Sequence, residues 1–151
     1  MGEVRATVVL TNIIDEERAE IGEIPFDDVR SYEADGLIDT GAVASALPVH
    51  VVDKLGLKAR RRRVVEMADG SRQIVDVVAG LRFEILGRDT TDEAFVIGDE
   101  VLIGQTVLEK LDLLVDCARQ RLVPNPEHPD QPVLKLKIVS HSRHGRTNVR
   151  Y

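Results

Sequence analysis

The sequence has few aromatic residues and a single cysteine. Aromatic side chains make up 3% of its 151 residues, and tryptophan is absent. The core must therefore consist mainly of Val, Leu and Ile, a composition that favours β-strands. Cys117 has no second cysteine with which to pair, so a disulfide within the chain is excluded. Because chains without disulfides are typical of reducing compartments, we expect a cytoplasmic protein.

Long apolar runs are also missing. No stretch approaches the roughly 20 apolar residues that a membrane-spanning helix requires, so we expect no membrane partner. Residues 1–5 lack the basic and then apolar order of a signal peptide. The net charge of −6 argues against nucleic acid as the main partner. A basic run at residues 58–63 leaves a nucleic-acid-binding barrel as an alternative, which the scarcity of aromatic residues for base stacking disfavours.

Metal ligands at recognised spacings are absent from the sequence as well. His128, His141 and His144 lie in a proline-rich segment and a polar tail, with no cysteine or carboxylate at a known ligand spacing. We therefore treat these histidines as surface residues and expect neither a metal nor another cofactor.

Alternating apolar and polar residues predict many short strands. The predicted strands cover residues 3–10, 31–38, 44–47, 57–67, 74–78, 81–85, 90–97, 113–115 and 121–123. Helices are predicted at residues 49–55, closed by Gly56, and at residues 105–111, where Thr106 and Glu109 match a capping box. Residues 11–24 are predicted to form a loop with at most a helical turn. This pattern favours an all-β, barrel-like domain with one or two short helices over residues 1–123.

Beyond this domain the chain changes character. Four prolines in residues 124–132 predict a stiff connector. Leu134, Leu136 and Ile138 alternate with lysines, which predicts an additional C-terminal strand at residues 133–139 with one buried face. Residues 140–151 are polar and basic, and we expect a disordered tail there.

The most informative stretch is residues 35–42. Leu37 and Ile38 are typical of the end of a buried strand, and Thr40 and Gly41 are typical of a tight turn. Asp39 would lie between them, where a rigid turn next to apolar strands can hold a carboxylate in position for chemistry.

Asp39-Thr40-Gly41-Ala42 after two apolar residues resembles the active-site loop of the retropepsins, the retroviral-type aspartic proteases. The apolar run at residues 101–103, ending in Gly104 and followed by a short helix, is similar to a strand–Gly–helix unit that retropepsins have at a comparable distance. Residues 67–71 form a turn between strand-like runs, where that family has its flap. The resemblance covers residues 32–123 and is greatest to the small bacterial stand-alone members.

The resemblance implies a retropepsin-like closed barrel and a homodimer whose active site lies at a two-fold interface. Thr40 would form hydrogen bonds across the axis, and Gly41 would let the substrate backbone approach. Ala42 stands where many relatives carry Ser. The implied substrate-binding positions are Ala42, Met67, Ala68, Asp69, Gly70, Ser71, Leu102, Ile103 and Gly104. Viral flaps are rich in glycine, whereas this turn contains only Gly70.

Peptide hydrolysis without a metal or a covalent nucleophile needs an activated water molecule, and two carboxylates about 3 Å apart that share one proton can activate it. The ionised carboxylate removes a proton from water, and the protonated one polarises the scissile carbonyl. The chain offers one Asp-Thr-Gly, so the second Asp39 must come from a second copy. The sequence therefore predicts a homodimeric aspartic endopeptidase acting on peptides or proteins. The alternative is a catalytically silent dimer that binds peptides or acts as a scaffold.

Overall fold

The computed structural model describes residues 2–138, which are mostly β-structure. Its three α-helices are α1 (Ile13–Glu20), α2 (Val49–Leu55) and α3 (Gln105–Leu111), and Phe26–Asp28 form a short 3-10 turn. The strands are β1 (Val4–Asn12), β2 (Ser31–Ile38), β3 (Ser45–Leu47), β4 (Ala59–Glu66), β5 (Arg72–Ile85), β6 (Arg88–Val96), β7 (Leu102–Ile103), β8 (Leu113–Asp116) and β9 (Arg121–Pro124). None of the helices within residues 2–138 combines the length and the apolar character needed to cross a bilayer.

Six of the strands close into a barrel. They follow the order β1-β2-β7-β3-β6-β5, and β5 pairs with β1 again to complete the circle. Pairing is antiparallel except where β2 meets β7 and β3 meets β6. Strand β4 lies outside the circle and pairs with the first half of β5 as a hairpin. The predicted all-β, barrel-like fold is confirmed, with three α-helices where one or two were expected.

Aliphatic side chains fill the barrel, as the composition predicts. In the second half of β5 every second residue points inward, so Leu81, Phe83 and Ile85 are buried while the residues between them are partly exposed. Helices α2 and α3 pack on the barrel through apolar residues. These are Val51, Val52 and Leu55 in α2 and Val107, Leu108 and Leu111 in α3. Phe83 is the largest of the fully buried side chains.

Two elements differ from the prediction. Residues 13–20, predicted as a loop, form α1, whose first turn is capped by the Asn12 side chain accepting a hydrogen bond from the Asp15 amide at 3.0 Å. The two strands predicted at 74–78 and 81–85 are one strand, β5. A register shift between Val78 and Leu81, where Gly80 has a φ of 73°, bends β5 without ending it.

The segment after β9 is fixed by side chains from the barrel. Asp112 accepts hydrogen bonds from Asn125 Nδ2 and the Val133 amide, each at 3.0 Å, and Arg88 donates to the His128 carbonyl at 2.6 Å. Residues 133–138 contain no strand, so the additional strand predicted at 133–139 is not formed in the described chain. Leu136 and Ile138 are 77% and 78% exposed, because no neighbouring strand covers them. Residue 139 and the predicted tail at 140–151 lie outside the described residues.

Candidate active site

Asp39 lies where β2 ends, at the start of a turn that we call the Asp39 turn (residues 39–44). The Asp39 amide donates to the Ile103 carbonyl at 3.0 Å, which extends the β2–β7 pairing by one residue. The Gly41 amide donates to Asp39 Oδ1 at 3.0 Å, and the Ala42 amide donates to the Asp39 carbonyl at 3.2 Å. These bonds fix the orientation of a half-buried carboxylate within its own turn.

The Asp39 turn is attached to the start of α3. The Gln105 amide donates to the Ala42 carbonyl at 2.7 Å, and the Thr106 amide donates to the Val43 carbonyl at 3.1 Å. The Thr106 hydroxyl lies 3.0 Å from the Val43 carbonyl oxygen and 2.9 Å from Asp92 Oδ2. The structure therefore brings together two segments that are about 60 residues apart in the sequence, namely residues 39–44 and residues 103–106.

The capping box predicted for α3 is wrong. The N-cap residue is Gly104, and no side chain caps the helix. Thr106 faces the Asp39 turn and Asp92, as described above, and Glu109 accepts a hydrogen bond from Gln105 Nε2 at 3.2 Å. Thr106, which the Thr-x-x-Glu pattern predicts to cap a helix, instead holds the candidate active-site turn in place.

Gly104 allows the close packing of the two segments. Its amide donates to Ser45 Oγ at 2.9 Å, in a buried position. A Cβ atom on Gly104 would lie 2.5 Å from both the carbonyl carbon and the oxygen of Ala44. The φ of Gly104 is −92°, which any residue can adopt. Glycine is therefore required here because the two backbone segments approach closely, and not because the backbone conformation is unusual.

The other residues of the Asp39 turn are more open. Thr40 is exposed, and its hydroxyl makes no hydrogen bond within residues 2–138. Ala42 is half-buried and, having no hydroxyl, cannot donate to the carboxylate, so the Gly41 amide is the donor that the described chain provides to Asp39.

An apolar row crosses the sheet beside Asp39. Leu37 precedes Asp39 by two residues and so leaves β2 on the same face. Its register neighbours continue across four strands, and their side chains share that face. The apolar row consists of Leu37, Leu102, Ala46, Phe95 and Val77. The first four are half-buried and form an apolar surface next to the carboxylate, whereas Val77, at the far end of the row, is fully buried.

The two residues of β7 point to opposite faces of the sheet, and this corrects the role predicted for one of them. Ile103 was expected to line the substrate pocket, but it is fully buried in the barrel core. Leu102, its neighbour in β7, points to the opposite face and belongs to the apolar row. Ala46, Phe95 and Val77 were not predicted for the site, because their positions depend on strand register, which the sequence alone does not give.

The turn predicted as a flap is present at the tip of the β4–β5 hairpin. The Met67 amide donates to the Ser71 carbonyl at 2.7 Å, and Gly70, with a φ of 86°, donates to the Met67 carbonyl at 2.9 Å. The amide and hydroxyl of Ser71 both donate to Asp69 Oδ1, which lowers the pKa of Asp69 below its ordinary value. Ala68 lies at the tip. Within residues 2–138, the 67–71 turn shares no hydrogen bond with the Asp39 turn.

The basic run of β4 is partly neutralised. Arg61 forms an ion pair with Glu93 of β6, and Arg62 pairs with Asp76 of β5 at 3.3 Å. Within residues 2–138, no group of three or more His, Cys, Asp or Glu side chains is arranged to hold a metal ion.

Comparisons with known proteins leave the site to be interpreted from its own geometry. No protein-family model matches the chain, and no curated protein matches its sequence. The interpretation therefore depends on three features of this chain: the Asp39 turn, its attachment to residues 103–106 and the apolar row beside it.

Proposed function

We propose that the protein is a homodimeric aspartic endopeptidase of the retropepsin type. The observation that carries this proposal is the attachment of the Asp39 turn to residues 103–106. Hydrogen bonds from Gln105 and Thr106, together with the close approach at Gly104, hold a carboxylate at the end of a strand. A turn fixed in this way from both sides is suited to present a catalytic group with little freedom of movement.

In the proposed dimer, the two copies of Asp39 meet across a two-fold axis. Two carboxylates about 3 Å apart cannot both be ionised, so they share one proton. The ionised carboxylate removes a proton from a water molecule, whose oxygen attacks the scissile carbonyl carbon. The protonated carboxylate donates its proton to the carbonyl oxygen, which gives a tetrahedral intermediate with two hydroxyl groups. The carboxyl group that took the proton from water then passes it to the nitrogen as the C–N bond breaks, while the other carboxylate takes a proton from one of the two hydroxyl groups, so the pair again holds one proton. No cofactor takes part in these steps.

The surroundings of Asp39 support an extended peptide as substrate. The apolar row offers a surface for apolar side chains of a peptide held beside the carboxylate. The exposed hydroxyl of Thr40 is available for a bond to the partner subunit. The β4–β5 hairpin, with its tip at residues 67–71, would cover the peptide and exclude water. We accordingly expect cleavage between residues with apolar side chains.

The decisive test compares Asp39→Asn with Asp35→Asn. Asp39→Asn keeps the size of the side chain and removes the ionisable group from both subunits, so cleavage of a peptide library should be abolished while peptide binding persists. Asp35→Asn is the matched control, because Asp35 lies on β2 four residues before Asp39, is exposed, and its carboxylate makes only a 3.7 Å contact with Arg5 within residues 2–138. It should cleave like the wild-type protein. Circular dichroism verifies that both variants fold.

The two remaining outcomes separate the alternatives. Equal cleavage by wild-type protein and Asp39→Asn would show that Asp39 is not the catalytic group. Binding of peptides without cleavage by either would favour the catalytically silent dimer that binds peptides or acts as a scaffold.

A further inference from the structure

A cavity of about 340 Å³ lies apart from the Asp39 turn, between α1, the C-terminal end of α2 and the start of β4. Its walls carry four cationic side chains and one carboxylate. The cations are Arg18, Arg30, Lys58 and Arg60, and the carboxylate is Asp15. Four positive groups converge here although the whole chain has a net charge of −6. The proposed peptidase chemistry uses none of these residues.

The carboxylate in this cavity is already fully engaged by Arg30. Arg30 Nε donates to Asp15 Oδ2 at 2.8 Å, and Nη2 donates to Oδ1 at 3.0 Å. The Arg30 amide donates to Oδ2 as well, at 3.0 Å. These bonds, the side-chain bonds first among them, lower the pKa of Asp15 below its ordinary value. Asp15 therefore serves to fix Arg30 and is not available to neutralise the other cations.

Gly56 leaves room for the Arg30 guanidinium, because a Cβ atom on Gly56 would overlap Nη1 of the arginine in its present position. Within residues 2–138, Nη1 has no hydrogen-bond acceptor. The cavity thus contains a guanidinium that is held rigidly and still has hydrogen-bond donors to offer.

A β-bulge supplies Arg60. Ala59 pairs with Val78 and Arg61 pairs with Val77, so Arg60 is the extra residue in β4. A bulge changes the direction of the side chain it carries, and Arg60 lines the cavity. Neither Arg60 nor Lys58 has a carboxylate within ion-pair distance in the part of the chain that the structure describes. Arg18 pairs with Glu23 at 3.1 Å.

We infer that this cavity binds a phosphate-type dianion. Arginine side chains present forked donors that match phosphate oxygens, and Lys58 adds a point charge. The apolar residues Ile14, Leu57 and Ala79 form part of the wall. The dianion would offset the repulsion among the cations. A water molecule occupies roughly 30 Å³, so a cavity of about 340 Å³ has the volume of several water molecules. It is therefore large enough for phosphate and also for a small phosphate ester.

The test is a titration of isotope-labelled protein with inorganic phosphate at constant ionic strength, followed by backbone amide chemical shifts. We expect saturable shifts at residues 12–18, 56–60 and 79. Arg60→Ala should weaken phosphate binding about tenfold, as loss of a charge-assisted contact does. Arg63→Ala is the matched control, because Arg63 lies on the same strand, is exposed and forms no ion pair within residues 2–138. It should change the affinity by no more than about twofold.

Two results would overturn the inference. One is a set of shifts that increase linearly with phosphate and never saturate. The other is equal weakening by Arg60→Ala and Arg63→Ala, which would indicate unspecific attraction to the basic strand. A short phosphoserine peptide tested in parallel distinguishes the source of the group: stronger binding of the peptide than of inorganic phosphate, sensitive to Arg60→Ala, indicates a phosphorylated side chain.

Discussion

Gly104 is the residue whose replacement should most directly disturb the candidate active site. In Gly104→Ala the new Cβ would collide with backbone atoms of Ala44, which cannot rotate away. We expect a loss of about 2–3 kcal/mol in the free energy of unfolding, measured by urea denaturation. Gly36→Ala is the comparison variant, because its Cβ would meet the side chains of Ile103 and Val8 at 3.3 Å, which requires a much smaller shift than the overlap with backbone at Gly104. Equal losses in both variants would contradict this explanation.

Thr106 should act as a positioning residue for the Asp39 turn. Thr106→Val keeps the shape and removes the hydroxyl that bridges the Val43 carbonyl and Asp92. We expect a loss of about 1 kcal/mol in stability, and a lower kcat with little change in KM, because the turn is less well held. Thr106→Ser retains the hydroxyl and should restore both properties. If Thr106→Ser were as impaired as Thr106→Val, the packing of the methyl group would be responsible instead.

At the scale of elements, the sequence predicts what local patterns determine. Strand alternation gave the positions of most strands, and Gly56 marked the end of α2, where it adopts a φ of 66°. Helix α1 was missed because its sequence is polar. It is held by the Asn12 cap, which is a readable local signal, and by the Asp15–Arg30 pair, whose partners are brought together only by the fold.

The remaining errors and omissions concern contacts between segments that are distant in the sequence. The alternation of apolar and polar residues at 133–138 predicts that one face of this segment is buried, but it does not identify the covering element. No strand of the described chain covers that face. In the same way, the motif around Asp39 pointed to a candidate carboxylate, whereas Thr106, the apolar row and the cationic cavity depend on long-range register and packing. No local pattern encodes those contacts.

Asp112, at the C-terminal end of α3, should make the stability of the fold depend on pH in the acid range. Hydrogen bonds from Asn125, the Val133 amide and His128 lower the pKa of Asp112 to about 2. Because this folded-state value lies below the ordinary 3.8, the ionised form stabilises the fold at neutral pH, and this contribution is lost as the pH falls toward 2. The melting temperature of wild type should exceed that of Asp112→Asn at pH 7, and the difference should shrink as the pH falls toward 2. A difference that is constant with pH would exclude ionisation as its cause.

At the scale of the whole molecule, one chain leaves the proposed chemistry incomplete. It provides one Asp39, and it leaves an extended segment, residues 133–138, anchored at one end by the bond from the Val133 amide to Asp112. The apolar side chains of this segment are exposed, and they include Leu134, Leu136 and Ile138. A second copy of the chain would supply the missing carboxylate and could cover these side chains at the same time.

We therefore expect a dimer in solution, with residues 133–138 at its interface. In Leu136→Ser/Ile138→Ser, sedimentation should show dissociation at protein concentrations where the wild type is dimeric, since two exposed apolar anchors lose their burial in the interface. Because both side chains are already exposed in the single chain, the far-ultraviolet circular dichroism spectrum should not change. Ile21→Ser is the control, because Ile21 is 70% exposed at the end of α1. Peptide cleavage by the double variant should fall in proportion to its dimer fraction and recover at high concentration. A persistent monomer with full peptidase activity would exclude the shared site, and an unchanged dimer would place the interface elsewhere.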